Sequence, residues 1–298
     1  MMVLKNQSRA YLLAFLTVLF WSTVATAFKI ALRDLNYIQL LLVANFTSLV
    51  VYSLILLVRK APVGFHVPAM HEIGLSALQG FLNPFAYYLV IFKVYSLLPA
   101  QVAQPANFIW PVVLMLLSVP LLKQPLRKTG MLALLVSFIG VIILSTQRNL
   151  ADFNIRDPFG IALALSSSLI WSLFWIVNLK DTRDGVQKLF LSTLFSMVYI
   201  LILALLTGNF MPVFTRPVYA AIYIGLFEMG ITFVLWLKAL QLSESTARVS
   251  NLIYLTPFAS LVFIHFILGE HLYYTTFIGL CLIVAGIAIQ EIKKAPDQ

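Results

Sequence analysis

Residues 220–236 read AAIYIGLFEMGITFVLW, and Glu228 is the only charged residue among them. As a helix rising 1.5 Å per residue, the surrounding apolar run is long enough to cross a hydrocarbon core of about 30 Å. The same texture recurs along the chain, with apolar runs of about 20 residues parted by short polar clusters. Of 298 residues, 61% are hydrophobic and 10% charged, and the mean hydropathy is +0.95. A soluble domain carries roughly 25% charged residues. So few charges cannot build a surface that faces water, so the chain reads as an all-α integral membrane protein.

Punctuation by charge, Pro and Gly gives ten expected transmembrane helices at 11–32, 37–58, 72–97, 99–122, 128–146, 157–179, 186–207, 216–241, 246–268 and 274–292. The first is too long for the core of a signal peptide and has no small-residue cleavage site, so it reads as a retained helix. The connections leave no room for a domain outside the membrane. With both termini inside, the cytoplasmic side carries 14 of the 20 Lys and Arg and the outer side 6, the bias that sets orientation. The net charge of +9 is thereby read as topology and not as a nucleic-acid surface. The expected location is a plasma membrane, crossed many times, with both termini cytoplasmic. One cysteine, Cys281, lies inside an apolar run and makes no disulfide framework.

The chain also aligns with itself. Residues 99–145 lie on 245–291 at an offset of 146, pairing Pro111 with Pro257 and Gly140 with Gly286. At an offset of 145, Gly80 pairs with Gly225 and Lys93 with Lys238, while Trp21-Ser22 and Trp171-Ser172 mark the first helix of each half. Residues 1–150 and 151–298 are therefore two five-helix repeats. An odd number of helices turns the second repeat over, and inverted repeats are the mark of secondary transporters with a site near the midplane. A complete two-fold arrangement within one chain suits a functional monomer.

The rival class is a membrane-embedded enzyme or sensor. Enzyme chemistry needs clustered His, Asp or Cys, but His66, His71, His265 and His271 form no ligand set on one helix. No phosphate-cradling glycine loop is present, so no metal, cofactor or direct ATP drive is expected.

The phrases FWSTVATAFKIAL (20–32), LIWSLFWIVNLK (169–180), ANFIWPVVLMLL (106–117) and LIYLTPFASLVFIHFILGEHL (252–272) resemble the drug/metabolite transporter superfamily. Within it they look like the EamA-type ten-helix exporters. The run Asn107-Phe108-Ile109-Trp110-Pro111 is similar to the Asn-aromatic-aliphatic-Trp-Pro run of bacterial aromatic amino acid and paraquat exporters. Gly269-Glu270 matches the family's pair in the second half, while Lys123-Gln124 replaces it in the first. The resemblance covers nearly the whole chain. It implies export or exchange of small metabolites and does not name the substrate.

The polar residues inside the spans give the candidate site. Glu228 falls about 18 Å along its helix, close to the middle of the core. An ionised carboxylate there costs at least about 2.5–3.5 kcal/mol on insertion scales. It is either a neutral group bonded to a neighbouring helix or a cavity carboxylate that binds an amine or a proton. Gly225 and Thr232 share its face, and Gly80, Asn83 and Tyr87 repeat the spacing on the third helix, which favours the cavity. Gly80 and Gly225 themselves read as packing contacts.

The fourth helix offers Gln101, Gln104, Asn107 and Pro111, and the ninth Arg248, Asn251 and Tyr254. The sixth offers Ser168, Trp171 and Trp175, and the first Trp21, Ser22, Thr26 and Lys29. Helices 1, 3, 4, 6, 8 and 9 are expected to form the inner ring, and the more uniformly apolar 2, 5, 7 and 10 the outside. Trp110 and Trp171 read as cavity walls or as interface anchors. Lys29, Lys93 and Lys238 read as snorkelling side chains. Arg248 either pairs with Glu244 or meets ligand, Pro105, Pro111 and Pro257 read as kinks inside helices, and Glu270 as structural.

The expected activity is alternating-access export or exchange of amino acids or related amines and aromatic compounds, with Glu228 coupling it to protons. The expected contacts are Trp21, Asn83, Tyr87, Gln104, Asn107, Trp110, Trp171, Glu228, Asn251 and Tyr254. The alternative is a carrier or importer of organic anions built on Lys29 and Arg248.

Overall fold

The structure is a computed structural model that describes residues 6–58, 68–123, 128–147, 157–210, 217–244, 249 and 251–291. Among the described residues it is all helical. In order run α1 (Gln7–Ala31), α2 (Tyr37–Val58), α3 (Met70–Gly80), a π-helical turn (Phe81–Ala86), α4 (Tyr87–Leu97), α5 (Ala100–Asn107) and α6 (Trp110–Leu122). Then come α7 (Lys128–Ser145), α8 (Pro158–Leu179), α9 (Gly185–Leu206), α10 (Pro217–Phe227) and α11 (Ile231–Leu242). A 3-10 turn (Asn251–Leu255), α12 (Thr256–Leu268) and α13 (Tyr274–Glu291) complete it. By length and composition nine described spans are able to cross a membrane, and a tenth apolar stretch, Tyr274–Ile289, is shorter. Their positions lie within a few residues of those expected from the sequence.

Helix starts follow local chemistry. Asn6 Oδ1 accepts from Arg9 N at 3.0 Å, and Asp157 Oδ1 accepts from Gly160 N at 2.8 Å with Pro158 in the first helical position. Asp184 Oδ1 accepts from Val186 N at 3.0 Å and Gln187 N at 3.1 Å. Gly269, at φ +70°, closes α12 in the left-handed region that a side chain disfavours.

Four spans differ from the unbroken helices expected. The third is interrupted at Asn83, whose φ of −152° and ψ of 122° are extended, before a cis peptide to Pro84. The fourth breaks at Phe108-Ile109, the eighth at 228–230, and the ninth opens with a 3-10 turn. Pro111 and Pro257 are not kinks inside helices. They occupy the first turns of α6 and α12, where a missing N–H costs nothing because that donor has no intrahelical acceptor. Pro105 does lie inside α5. The breaks fall at positions that the self-alignment pairs, Asn83 with Glu228 and Phe108 with Tyr254.

Packing interleaves the two halves of the chain. α1 packs on α10, α11 and α12, while α8 packs on α4, α5 and α6. α2 runs against α9 and α10, and α9 against α2 and α3. α7 lies along α13, where a Cβ at Gly140 would stand 2.6 Å from the Gly279 carbonyl oxygen and one at Gly279 2.6 Å from that of Gly140. Only glycine admits so close a backbone approach. Gly80 abuts the Ser192 carbonyl and Gly225 the Ala44 carbonyl, so both are packing contacts.

α2 and α9 lie outside the inner ring, as their apolar sequences lead one to expect, but their faces are not uniformly apolar. They share a buried polar seam of Asn45, Ser48, Ser192, Thr193 and Ser196, in which Asn45 Nδ2 donates to the Thr193 carbonyl at 3.2 Å. Small polar residues let helices approach and hydrogen bond where no water competes.

Candidate substrate cavity

Three of the four breaks, at Phe108, Glu228 and the 251–256 segment, border a cavity of about 410 Å³. Its walls come from α1, α4, α5, α6, α8, α11 and the 251–256 segment, with Ile287 of α13 the one contribution from the spans expected outside.

Broken helices free backbone groups that must be satisfied away from water. Here side chains do it. Ser168 Oγ donates to the Asn107 carbonyl at 2.8 Å, which lacks a helical donor because Pro111 has no N–H, while Ser172 Oγ reaches the Trp110 carbonyl at 3.0 Å although its shorter bond, 2.8 Å, is to the Ser168 carbonyl within α8. Ser22 Oγ reaches the Thr256 carbonyl at 3.3 Å, although its shorter bond, 2.6 Å, is to Val18 within α1. The repeated Trp-Ser pairs thus have a structural sense: Trp21 and Trp171 face the cavity while Ser22 and Ser172 reach carbonyls at the start of a broken helix. At the eighth span, Tyr52 Oη donates to the Met229 carbonyl at 2.5 Å and the Thr232 hydroxyl to the Phe227 carbonyl.

Glu228 follows the last residue of α10, with its N–H still bonded to the Ile224 carbonyl at 2.8 Å. Its carboxylate lines the cavity, and Oε1 accepts from Tyr88 Oη at 3.0 Å. Among the described residues no cation pairs with it, the one ion pair being Arg183 with Asp181. Beside it Tyr87 Oη donates to Asn107 Oδ1 at 3.2 Å, and Asn107 Nδ2 donates to Ser167 Oγ at 2.8 Å.

The rest of the wall is aromatic. The Trp171 ring stands 4.6 Å from Tyr87, 6.4 Å from Trp110, 6.0 Å from Trp175 and 6.0 Å from Phe233, centroid to centroid. Trp21 lies 5.7 Å from Phe233 and 5.8 Å from Trp236, and Phe108 is 6.4 Å from Tyr254. Trp21 Nε1, Trp175 Nε1, Gln104 Oε1 and Thr256 Oγ1 are buried without a partner, on side chains that line the cavity.

Of the residues expected to form the site, Trp21, Tyr87, Gln104, Asn107, Trp110, Trp171, Glu228 and Tyr254 line this one cavity. Asn83 and Asn251 do not. Asn83 is 4% exposed and its extended backbone takes it off the face that a continuous helix would share with Tyr87. Asn251 is exposed at the start of the 3-10 turn. Arg248, His66 and Gln124 lie outside the described residues. Phe233, Trp236 and Thr256 are wall residues that the sequence reading missed. The aromatic pair at i, i+3 on α11 was the available signal.

Two lysines depart from simple snorkelling. Lys29 Nζ donates to the Tyr95 and Leu98 carbonyls, both at 2.9 Å, and Lys93 Nζ stands 5.3 Å from the centroid of the Tyr37 ring. Lys238 is exposed. Glu270 is structural as expected, accepting from Ala100 N at 2.9 Å and Gln101 N at 3.3 Å.

A second polar cluster holds the α8–α9 connection against α3. Arg183 Nε and Nη2 donate to the two Asp181 carboxylate oxygens at 2.9 and 2.6 Å, and Gln79 Nε2 donates to the same carboxylate at 3.0 Å. Arg183 Nη1 continues to Ser76 Oγ at 2.9 Å. Burial pushes the Asp181 carboxyl up, but the Arg183 and Gln79 hydrogen bonds and the Arg183 charge outweigh it and hold the group below its ordinary value. A carboxylate whose pKa is lower folded than unfolded adds stability that is complete above its unfolded value, about 3.9, and lost as pH falls through the folded one. Thermal unfolding at pH 5 and pH 3 is expected to show a smaller acid-induced loss in Asp181→Asn than in the parent, with the variant already less stable at pH 5. An equal loss in both would remove the cluster from the acid response.

The profile of the EamA-like transporter family matches residues 8–146 and again 158–290. A relative from Clostridium kluyveri named as an uncharacterized transporter is 27% identical over 187 residues, and the match spans 59% of either chain. A second, from Archaeoglobus fulgidus and named likewise, is 22% identical over 294 residues, 96% of this chain and 99% of its own. A solved crystal structure superposes with a TM-score of 0.63 at 21% identity, covering 96% of this chain and 97% of that one, a likeness of fold.

Proposed function

The chain belongs to the EamA-like transporter family, and on that premise we propose that it is a secondary transporter that exports or exchanges small metabolites by alternating access. The substrates in view are amino acids or related amines and aromatic compounds. One observation carries this reading: Glu228, a carboxylate that no cation among the described residues pairs with, lines an aromatic-walled cavity at the break of a membrane span. Protein interiors do not keep such a group unpaired without use for it. In this reading Glu228 takes the amine or a proton, Trp21, Trp110, Trp171 and Tyr87 supply apolar and cation–π faces, and Gln104, Asn107 and Tyr254 supply polar contacts.

Two inverted five-helix repeats, 1–150 and 151–298, give the alternation its geometry. The double match of the family profile, the exchange of packing partners between halves and the paired helix breaks support them. Discontinuous helices around a central site suit a site between halves that rock against each other. The excess of Lys and Arg on one side supports cytoplasmic termini in a plasma membrane, and the internal pairing supports action as a monomer.

Purified protein in proteoliposomes is expected to carry labelled amines or aromatic metabolites at rates that an empty-liposome control does not show. A panel of such compounds with no protein-dependent flux would count against transport.

A further inference from the structure

The charges around the cavity select within that substrate range. Among the described residues that line it, Glu228 is the only one whose side chain is a carboxylate, and none is Lys, Arg or His. Lys29 is not among the lining residues, and its ammonium is held by the Tyr95 and Leu98 carbonyls. Tyr88 Oη is committed to the carboxylate itself, Tyr87 Oη to Asn107 and the Asn107 amide to Ser167, and the indole donors left free on the wall, Trp21 Nε1 and Trp175 Nε1, carry no charge.

We propose that the cavity takes aromatic monoamines that lack a carboxylate, and discriminates against the corresponding α-amino acids and organic anions. This rests on the transport reading for the movement of the substrate, but the charge rule concerns binding alone. In an α-amino acid one carbon separates ammonium from carboxylate. Seating its ammonium against Glu228 therefore brings a second carboxylate to within about 5 Å of the first, where like charges repel strongly at low dielectric. No cationic wall residue among those described offsets that repulsion. A primary amine on a short chain avoids it. Its cation also gains from an aromatic face on the wall, where Tyr87 and Trp171 stand, while its own ring replaces water against Trp110 and Phe233.

One ring carried through four charge states separates these effects: tryptamine, tryptophol, tryptophan and indole-3-acetate, titrated into the purified full-length protein by calorimetry and thermal shift at pH 7. Tryptamine is expected to bind at least about tenfold more tightly than tryptophan, a difference of about 1.4 kcal/mol. Indole-3-acetate is expected to be weakest. In Glu228→Gln the advantage of tryptamine over tryptophol should vanish.

Tryptophan or indole-3-acetate binding as tightly as tryptamine would overturn the charge rule, as would the absence of binding by all four. Indole-3-acetate reports on any cation in reach, Arg248 included. The ranking on the parent protein stands as a test even where Glu228→Gln does not fold. Flux in proteoliposomes keeps the two readings apart. Tryptamine that binds but never moves sinks transport alone, whereas a carboxylate substrate that moves while tryptamine fails to bind sinks the charge rule alone.

Discussion

Glu228→Gln is expected to abolish uphill export driven by a proton gradient while leaving downhill exchange of substrate in place. The substitution keeps the size of the side chain and an oxygen to accept from Tyr88, now 3.0 Å from Oε1, so the break after α10 retains its hydrogen bond. What it removes is the charge that a proton or an ammonium neutralises, so an amine binds only through the aromatic wall and downhill exchange persists at higher substrate concentration. A carrier that exchanges one proton for one cation concentrates substrate about tenfold per unit of pH gradient, because a tenfold ratio is worth about 1.4 kcal/mol. The parent should approach that ratio in proteoliposomes with an imposed gradient, and Glu228→Gln should remain near one. Accumulation by the variant equal to the parent's would end the assignment of coupling to Glu228. Failure of the variant to fold, read from its unfolding curve, would instead make the carboxylate a structural hydrogen-bond acceptor.

How much of this was open to a reader of the sequence differs by physical cause. Spans were legible because bilayer thickness fixes helix length, so Tyr37–Val58 and Pro158–Leu179 can be drawn from hydropathy alone. Much of the wall was legible because polar and aromatic side chains inside spans have few other places to go. Trp21, Tyr87, Asn107 and Trp171 needed only helical spacing to be brought together. The helix breaks were not legible, because a proline in an apolar run reads equally as a kink and as the first turn of a new helix. Continuous-helix spacing therefore carried Asn83 onto the cavity face. It also hid Phe233 and Trp236, whose orientation is reset where the backbone turns at Gly230, at φ −111° and ψ −99°. Lys29 was read by its nearness to a helix end. Nearness to a helix end does not reveal the two carbonyls that a neighbouring helix brings to its ammonium.

Those two carbonyls belong to a charge arrangement that fixes one end of the cavity. The turn between α4 and α5 is held from both sides. Lys29 donates to the Tyr95 and Leu98 carbonyls at the end of α4, where the helix dipole is negative, and Glu270 accepts from the first N–H groups of α5, where it is positive. Gln101 adds to the join, its amide donating to the His271 carbonyl at 2.8 Å and its oxygen accepting from Tyr273 N at 2.9 Å. Phe28 and Tyr95, the wall residues below this turn, are 4% and 3% exposed, whereas Leu179 at the other end is 64% exposed. The self-alignment puts Gln124 in place of Glu270, and the Trp-Ser pairs put Leu179 in place of Lys29, so the sequence repeats neither of these two charges at the paired positions. Under the alternating-access proposal, opening the Lys29 end would part both contacts. Each charge–dipole contact is worth up to about 2 kcal/mol where partly buried, so losing one should shift the balance between end-open states by roughly tenfold. With Cys281→Ser as background, a cysteine at Phe28 should react with a bulky polar thiol reagent about tenfold faster once Glu270→Gln or Lys29→Met is added. A cysteine at Leu179 should react no faster under the same change. Equal acceleration at both ends would mean general loosening, and no acceleration at Phe28 would show that the two charges do not hold that end shut.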